Sequence, residues 1–365
     1  MQVPSGNWNG LESRIGRLVA CAQEQACEQL VLTEQATLSW LLGVRSHVPN
    51  TLDATCFDVV LDVQTRTLRI VVNAIEAPRL QANELAGVPA EFEVLPWWTD
   101  RRAQLPTGTR VGSDSGLPGM SDLTSQIALE RRRLDDGQQV TLRSVCRDAA
   151  AAATAAAIAI TPAMSEYVAA GKLAYELLAR GLDPIVLMVA GDERMARDRH
   201  PIPTSGALGA RAMLVCCARR HGVVASVTRI VAFDPVPRPR LAAYERLLRV
   251  EARFLEASKP GAVLGDVLRH GVEGYAAFGF EADEWHRHHQ GGYSGWHSRE
   301  FPARTNSCEI LAEGEVLAWN PSADGWKVED TCLIGVDGAE PLVYDDAWPM
   351  MSIDGRQRPA ILELG

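Results

Sequence analysis

The residues best suited to chemistry stand near the carboxyl end of the chain, in the stretch AWNPSADGWKVEDT. An Asp-Gly pair is typical of a two-residue hairpin turn, so Asn320 and Glu329 are predicted on two strands joined by that turn. Side chains two positions apart on a strand share a face, and Lys327 can therefore face the same cavity as Glu329. The alternative interpretation is an exposed ion pair, which stabilises a protein little.

A candidate proton shuttle lies in RDRHPIPTSG, where His200 precedes two prolines. Prolines fix the local backbone and keep it out of a helix, so this histidine is predicted on a rigid loop. Its ordinary pKa near neutrality suits acid–base catalysis. A surface histidine without a chemical role is the alternative, and the residues alone leave both open.

Four histidines and a glycine pair crowd the stretch EWHRHHQGGYSGWHSREFP. His286, His288 and His289 hint at a metal, but no regular structure places all three on one face, so at most two could share a ligand set. Gly291 and Gly292 predict a close approach of the backbone to a ligand, and a tight hairpin is the alternative.

The segment HGVVASVTRIV alternates as a strand, which places Ser226 and Thr228 on one face and Arg229 on the other. A buried arginine usually has a carboxylate partner. A structural ion pair is therefore favoured over substrate binding for Arg229.

The elements that must position these residues form two groups. Up to about residue 140, short helices alternate with strand patterns such as CFDVVLDVQTRTLRIVVNAIEAPRL, which predicts a small α/β domain with a mixed sheet. An alanine-rich helix, three strand-like stretches, two helices and many short strands follow, in α+β order. A chain of 365 residues is long for one core, so we predict two domains, 1–140 and 141–365.

Composition and charge exclude several classes of binding partner. The net charge of -10 argues against nucleic acid, whose binding needs clustered Lys and Arg. The run AAAAATAAAIAITPAM is shorter and less apolar than a membrane span, and the first residues lack the pattern of a signal peptide. The eight cysteines form no C-x-x-C pair. We expect a cytoplasmic protein with a small-molecule or short-peptide substrate and no nucleic-acid or membrane partner.

In their order, these stretches resemble the pita-bread family of creatinase, aminopeptidase P, prolidase and methionine aminopeptidase. The stretch ESRIGRLVACAQEQACEQLVLTEQATLSWLLGVRSHV resembles the opening of the creatinase-type N-terminal domain. The stretches RHPIPT, HGVVASVTRIV and HQGGYSGWH resemble the family's loop-histidine, Thr-Arg strand and Gly-rich histidine segments, and GEVLAWNPS with KVEDTCLIG resembles its paired carboxylate strands. The resemblance implies an α+β chain whose C-terminal pita-bread domain is preceded by a smaller α/β creatinase-type N-terminal domain.

The resemblance also implies where the family's metal ligands would fall. In chain order these positions are Val215, Ser226, Gln290, Asn320 and Glu329. Gln290 is placed by the family's spacing, seven residues before His297. Only Glu329 keeps a ligand, and two divalent cations need several bridging carboxylates. We therefore predict no metal site and no other cofactor.

Polar residues at three of these positions resemble creatinase, the metal-free member, which hydrolyses a C–N bond with a histidine as acid/base. His200 falls close to that histidine. The resemblance implies a metal-independent hydrolase of a C–N, amide-like bond in a small amino-acid-derived substrate. In this scheme His200 shuttles the proton, Glu329 orients His200 or the attacking water, and Arg299 or Lys327 binds a substrate carboxylate. The remaining predicted substrate-binding residues are Gln290 and Asn320, which hold the carbonyl or oxyanion, with Ser226, Tyr293 and His297.

Two alternatives stay open. One is a metal-dependent Xaa-Pro aminopeptidase or dipeptidase, and the other is an inactive protein of the same fold that binds a ligand or partner. The resemblance further implies a homodimer, because the two-domain members complete the active site with the partner's N-terminal domain. Arg45 and His47 are the residues expected near the neighbour's cavity.

Overall fold

Helices and strands alternate in the first part of the chain and form larger separate groups in the second. The computed structural model describes residues 8, 10–47 and 55–364. The chain divides into an N-terminal unit, Met1–Gln138 with His221–Val223, and a C-terminal unit, Gln139–Arg220 with Val224–Gly365. No helix in the described ranges has the length and apolar character needed to span a membrane.

The N-terminal unit is built on a six-stranded mixed sheet. Its helices are α1 (Leu11–Glu24), α2 (Gln35–Leu42), α3 (Ala77–Ala82) and α4 (Thr124–Arg131), and its strands are β1 (Gln29–Leu32), β2 (Phe57–Asp62), β3 (Leu68–Asn73), β4 (Ala90–Leu95), β5 (Gly108–Ser113) and β6 (Met120–Asp122). The strand order is β4-β3-β2-β1-β5-β6, with β1 antiparallel to β2 and parallel to β5. The predicted strand, turn, strand and helix are β2, β3 and α3. His47 is buried in this unit and contacts Gln35.

The C-terminal unit holds the remaining elements. Its helices are α5 (Asp136–Ile158), which begins just before the boundary, α6 (Glu166–Ala179), α7 (Asp192–Arg197), α8 (Arg238–Ala257) and α9 (Leu264–Ala277). Its strands are β7 (Asp183–Gly191), β8 (Arg211–Arg220), β9 (Val223–Ala232), β10 (Gly291–Tyr293), β11 (Phe301–Pro302), β12 (Val316–Trp319), β13 (Ser322–Ala323), β14 (Trp326–Lys327), β15 (Asp330–Gly335), β16 (Gly338–Pro341), β17 (Met350–Ile353), β18 (Arg356–Pro359) and β19 (Leu362–Glu363).

A nine-stranded sheet organises this unit. Its main path runs β11-β10-β12-β15-β9-β8-β7, with β16 on β15 and β19 on β9. Strands β8 and β9 are mostly buried, which is why both read as long apolar runs. Strand β7 stands at the end of the path, where its outer side chains can face a cavity.

Helices α8 and α9 pack closely and fix strand β12. A Cβ on Gly271 would lie 2.2 Å from the ring of Phe254, so α9 approaches α8 more closely than a side chain would permit. Phe254 in turn stacks on Trp319, with ring centroids 4.7 Å apart. Burying an aromatic side chain of this size contributes about 1.5–3 kcal/mol. The packing therefore holds the strand end from which Asn320 projects.

A buried ion network lies on the face of β15 opposite to Glu329. Asp330 accepts from Arg229 at 2.7 Å and pairs with Arg358 at 2.9 Å, and Arg358 also pairs with Glu251. Arg229 therefore has the structural carboxylate partner that the sequence favoured. Removing one partner of such a buried pair costs about 3–5 kcal/mol, so the network helps to hold β9 and β15 in register.

Candidate active site

A cavity of about 460 Å³ in the C-terminal unit brings most of the candidate residues together. Its apolar wall comes from Ile185, Val186, Leu187 and Met188 of β7, with Ile202, Val215 and Cys217. Its polar wall consists of His200, His289, Ser298, Arg299, Asn320, Lys327 and Glu329. A substrate that fits both walls carries an apolar group and several hydrogen-bonding groups.

The centre of the polar wall is a cluster that we call the charge centre: Lys327, Glu329 and Arg299. The Glu329 carboxylate accepts from Lys327 Nζ at 2.7 Å and from Arg299 Nη2 at 2.7 Å. Thr228 donates to the same carboxylate at 3.2 Å. Lys327 and Glu329 are both 4% exposed, which excludes the surface ion pair as the interpretation.

Local sequence explains the placement of the charge centre. Lys327 ends strand β14 and Glu329 precedes β15, and the turn before them has φ of 53° at Asp324 and 80° at Gly325. Both values lie in the left-handed region that a tight two-residue hairpin requires. Arg299 reaches Glu329 from the loop between β10 and β11, which no spacing rule relates to the hairpin.

Charge dominates the ionisation of Glu329. Burial alone would raise the pKa of this carboxyl, but the charges of Lys327 and Arg299 and their hydrogen bonds hold the pKa well below its usual range. The carboxylate is therefore ionised at any physiological pH. Two cations against one carboxylate leave the charge centre with an excess of one positive charge.

Three imidazoles form a second polar group beside the charge centre. His200 Nε2 lies 3.2 Å from His288 Nε2, and His288 Nδ1 lies 3.1 Å from the hydroxyl of Ser322. One nitrogen of each of His200, His288 and His289 falls within 4.8 Å of the others, so this group could hold a metal ion. The sequence analysis allowed at most two of His286, His288 and His289 to share a ligand set, and the structure places His288 and His289 in this group.

The three imidazoles are held neutral. Burial, followed by the charge of Lys327, lowers the pKa of His288 to about 2 and lowers the pKa of His200 below its ordinary value. Burial and then Arg299 lower the pKa of His289 to about 4. Near pH 7 these rings are proton acceptors, as a general base or a metal ligand must be.

Two polar atoms in the cavity wall are buried without a partner among the described residues. One is Oδ1 of Asn320, whose Nδ2 lies 3.4 Å from His288 Nε2. The other is Nε of Arg299. A buried polar atom without a hydrogen bond costs about 1–3 kcal/mol. One acceptor and one charged donor are thus available to a bound molecule.

The structure gives Gln290 a different position from the one expected. Its Oε1 accepts from Tyr275 at 2.7 Å, and its Nε2 donates to the backbone carbonyl of His288 at 2.6 Å. Both ends of the amide are occupied, and Gln290 is not among the residues that line the cavity. It holds the segment that carries His288 and His289, because it ties that segment to helix α9.

Ser226, Tyr293 and His297 also lie outside the cavity lining. Ser226 is fully buried, and its hydroxyl lies 3.4 Å from the sulfur of Cys217, which lines the cavity instead. Tyr293 is fully buried in the core and donates to Glu315 at 2.7 Å. His297 is partly buried, and its carbonyl accepts from Ser294. Of these three residues, Ser226 supports the cavity wall from behind through its contact with Cys217.

The glycine pair serves close packing of strands. A Cβ on Gly291 would lie 2.2 Å from the carbonyl oxygen of Ala318, and one on Gly292 would lie 2.5 Å from that of Phe301. The close approach is therefore to the neighbouring strands β12 and β11 and not to a ligand.

The partner of His200 also differs from the expectation. Glu329 was expected to orient His200 or the attacking water, but its carboxylate oxygens are held by Lys327, Arg299 and Thr228. His200 instead lies within hydrogen-bonding distance of His288, with the two Nε2 atoms 3.2 Å apart. His288 was not among the predicted site residues. Its contact with His200 joins two positions that are 88 residues apart in sequence, and no local pattern predicts such a contact.

The family's dinuclear metal centre does not fit these residues. Val215 has no donor atom, Ser226 and Gln290 have side chains that face neighbouring groups, and Asn320 offers a single neutral oxygen. The remaining ligand, Glu329, is already neutralised by an ammonium and a guanidinium. Two divalent cations there would lie beside two fixed positive charges without the bridging carboxylates that such a pair requires.

Comparison of this chain with known proteins shows the family to which it belongs. The model of metallopeptidase family M24 matches residues 141–336, more than half of the chain. The Bacillus subtilis (strain 168) protein "Putative dipeptidase YkvY" is 23% identical over 237 residues, 61% of this chain and 64% of that protein, so the match spans less than two thirds of the relative's length.

Solved structures agree on the fold. A prolidase from Pyrococcus horikoshii superposes with a TM-score of 0.77 at 16% identity, covering 92% of this chain and 99% of that chain. An Xaa-Pro dipeptidase from Bacillus anthracis gives 0.73 at 14% identity, covering 96% and 99%. The predicted α+β class, the two-domain pita-bread architecture and the hydrolase family are confirmed. The chain belongs to metallopeptidase family M24.

Proposed function

We propose that this chain hydrolyses the amide C–N bond of a small N-acyl amino acid or dipeptide without the dinuclear metal centre of its family. One observation carries the proposal: the charge centre has one excess positive charge, its Arg299 Nε has no hydrogen-bond partner among the described residues, and beside it Asn320 Oδ1 is an acceptor likewise without one. A molecule with a carboxylate and an amide N–H complements all three features.

The substrate would lie with its carboxylate on Arg299 Nε and with its amide N–H donated to Asn320 Oδ1. Its apolar side group would fill the wall formed by β7, where Ile185, Val186 and Leu187 are partly buried. A guanidinium donor bound to a carboxylate is roughly twice as strong as a neutral hydrogen bond. This charge selects small acids over neutral amides.

His200 would act as the general base. Its neutral imidazole takes a proton from water, whose oxygen attacks the amide carbonyl carbon. The oxygen of the tetrahedral intermediate becomes an anion, and the ammonium of Lys327 donates a hydrogen bond to it. The C–N bond then breaks as His200 returns the proton to the leaving nitrogen. His288, within hydrogen-bonding distance of His200, positions the ring.

The geometry supports one alternative, a hydrolase that uses a single metal ion. Three neutral imidazoles with nitrogens within 4.8 Å of one another fit the ligand types that zinc prefers. His200, His288 and His289 would hold the ion, which would activate water in place of a free imidazole base. The metal-dependent Xaa-Pro peptidase remains a candidate in this form.

We also propose a cytoplasmic homodimer. The free thiols of Cys216, Cys217 and Cys332 are buried, and burial raises the pKa of Cys217 to about 11. Such thiols suit a reducing compartment. The homodimer rests on the resemblance to two-domain members that share active-site residues across the dimer.

The test is an assay of the purified chain against N-acyl amino acids, Xaa-Pro dipeptides and the matching amino acid amides. Free-acid substrates whose scissile amide carries an N–H should be cleaved before and after dialysis against EDTA, and Xaa-Pro dipeptides, which lack that N–H, should react more slowly. The amides should react at least about tenfold more slowly, since they lack the charge that Arg299 binds. Activity that EDTA abolishes and one equivalent of zinc restores would support the single-metal alternative. Preference for the neutral amides would refute the placement of the carboxylate.

A further inference from the structure

We propose that a second cavity of the C-terminal unit is an anion-binding site for a small phosphate-bearing molecule. The cavity has a volume of about 510 Å³ and is separate from the lining of the candidate active site. Four arginines line it: Arg199, Arg240, Arg246 and Arg287. The proposal does not depend on the reaction proposed above.

The cavity has more positive than negative charge. Its carboxylates are Glu284, which pairs with both Arg199 and Arg287, and the exposed Asp324 at the rim. Four guanidinium groups against two carboxylates leave an excess of two positive charges. A phosphate monoester, which carries nearly two negative charges at neutral pH, matches this excess.

Two of the arginines have no carboxylate partner in the described part of the chain. Arg240 lies over the ring of Trp326 at 5.8 Å, and Arg246 lies over the ring of Phe280 at 5.2 Å. Aromatic contacts fix the planes of both guanidinium groups and leave their donors unused. The Nε of Arg246 is buried and has no hydrogen-bond partner among these residues. An oxyanion in the cavity would satisfy it.

The start of helix α8 adds to this excess of positive charge. The helix has 20 residues, its first turn contains Arg238 and Arg240, and it has no acidic residue there. The N-terminal end of a helix carries partial positive charge, so arginine is unfavourable at this end. Pro239 and Arg240 line the cavity. A bound anion would offset both the helix dipole and the arginine charges.

The site lies next in sequence to residues of the candidate active site. Arg199 precedes His200, Trp326 precedes Lys327, and Arg287 precedes His288. Two of the arginines that would hold the anion are therefore direct sequence neighbours of His200 and His288.

Titration calorimetry with inorganic phosphate tests the proposal, against sodium chloride at equal ionic strength so that screening is separated from binding. The wild-type chain should bind phosphate saturably at one site. The double variant Arg240→Gln/Arg246→Gln should lose at least about tenfold in affinity, since each charged hydrogen bond contributes substantially. Arg249→Gln is the matched control, because Arg249 is exposed on the same helix and does not line the cavity.

Three outcomes would overturn the proposal: no saturable binding beyond the chloride control, equal binding by the double variant, or loss of binding in Arg299→Gln. The last would place the phosphate in the active-site cavity. If the double variant does not fold, Arg287→Gln at the exposed rim replaces it, with the same expected direction. Tighter binding of β-glycerol phosphate than of inorganic phosphate would identify a phosphorylated metabolite as the ligand, and the reverse order would identify free phosphate.

Discussion

Substituting Glu329 by glutamine perturbs the charge centre most directly. The change keeps the shape of the side chain but removes the carboxylate that contacts both Lys327 and Arg299 at 2.7 Å. Lys327 is 4% exposed, so its ammonium has little access to water when its partner is lost. We expect Glu329→Gln to destabilise the C-terminal unit strongly.

The magnitude follows from burial. Removing one partner of a buried ion pair costs about 3–5 kcal/mol, because an uncompensated charge remains. For a unit of this size that loss lowers the midpoint of thermal unfolding by about 6–20 °C. Lys327→Met should cost less, since Glu329 keeps Arg299 and the hydroxyl of Thr228. The double variant should cost less than the sum of the two.

Calorimetric unfolding at pH 7 measures these differences. The control is Glu340→Gln, which breaks the exposed pair between Glu340 and Arg143 in the same unit. An exposed pair contributes about 0–1 kcal/mol, so the control should unfold close to the wild type. If Glu329→Gln were no more destabilising than Glu340→Gln, the reasoning that Glu329 is held as a desolvated counter-ion would be refuted.

Three further predictions concern catalysis and assembly. Alanine at His200 should lower kcat by about 10²–10⁴-fold with an unchanged circular dichroism spectrum, and full activity in His200→Ala would remove the proposed base. Burial and the charge of Lys327 lower the pKa of His200, so its neutral form persists below pH 6.5. The value of kcat/KM should therefore fall only as the pH drops through a midpoint below 6.5, and a midpoint above 7 would contradict this. Light scattering at micromolar concentration should give the mass of a dimer, and an active monomer would exclude a shared active site.

Local chemistry made much of the charge centre predictable. The Asp-Gly turn and the two-residue strand period together placed Lys327 and Glu329 on one face, and both follow from neighbours in sequence. The same reasoning separated Arg229 from the cavity and gave it a buried carboxylate partner. These features depend on a few consecutive residues, so the sequence alone is sufficient to predict them.

Contacts between segments that are distant in sequence could not be predicted in the same way. Arg299 reaches Glu329 across 30 positions, and His200 reaches His288 across 88. Gln290 was assigned to substrate because its position matches a metal ligand of the family. The orientation of the Gln290 amide depends on Tyr275 of helix α9, whose hydroxyl donates a hydrogen bond to the amide oxygen. No periodicity within a single strand or helix carries that information.

We infer that two protein cations, Lys327 and Arg299, hold Glu329 in place of metal ions. Elemental analysis of the chain purified without chelator tests it most directly. We expect well under one equivalent of manganese, cobalt, zinc or iron per chain, unchanged in Glu329→Gln. About two equivalents, released by Glu329→Gln, would contradict it.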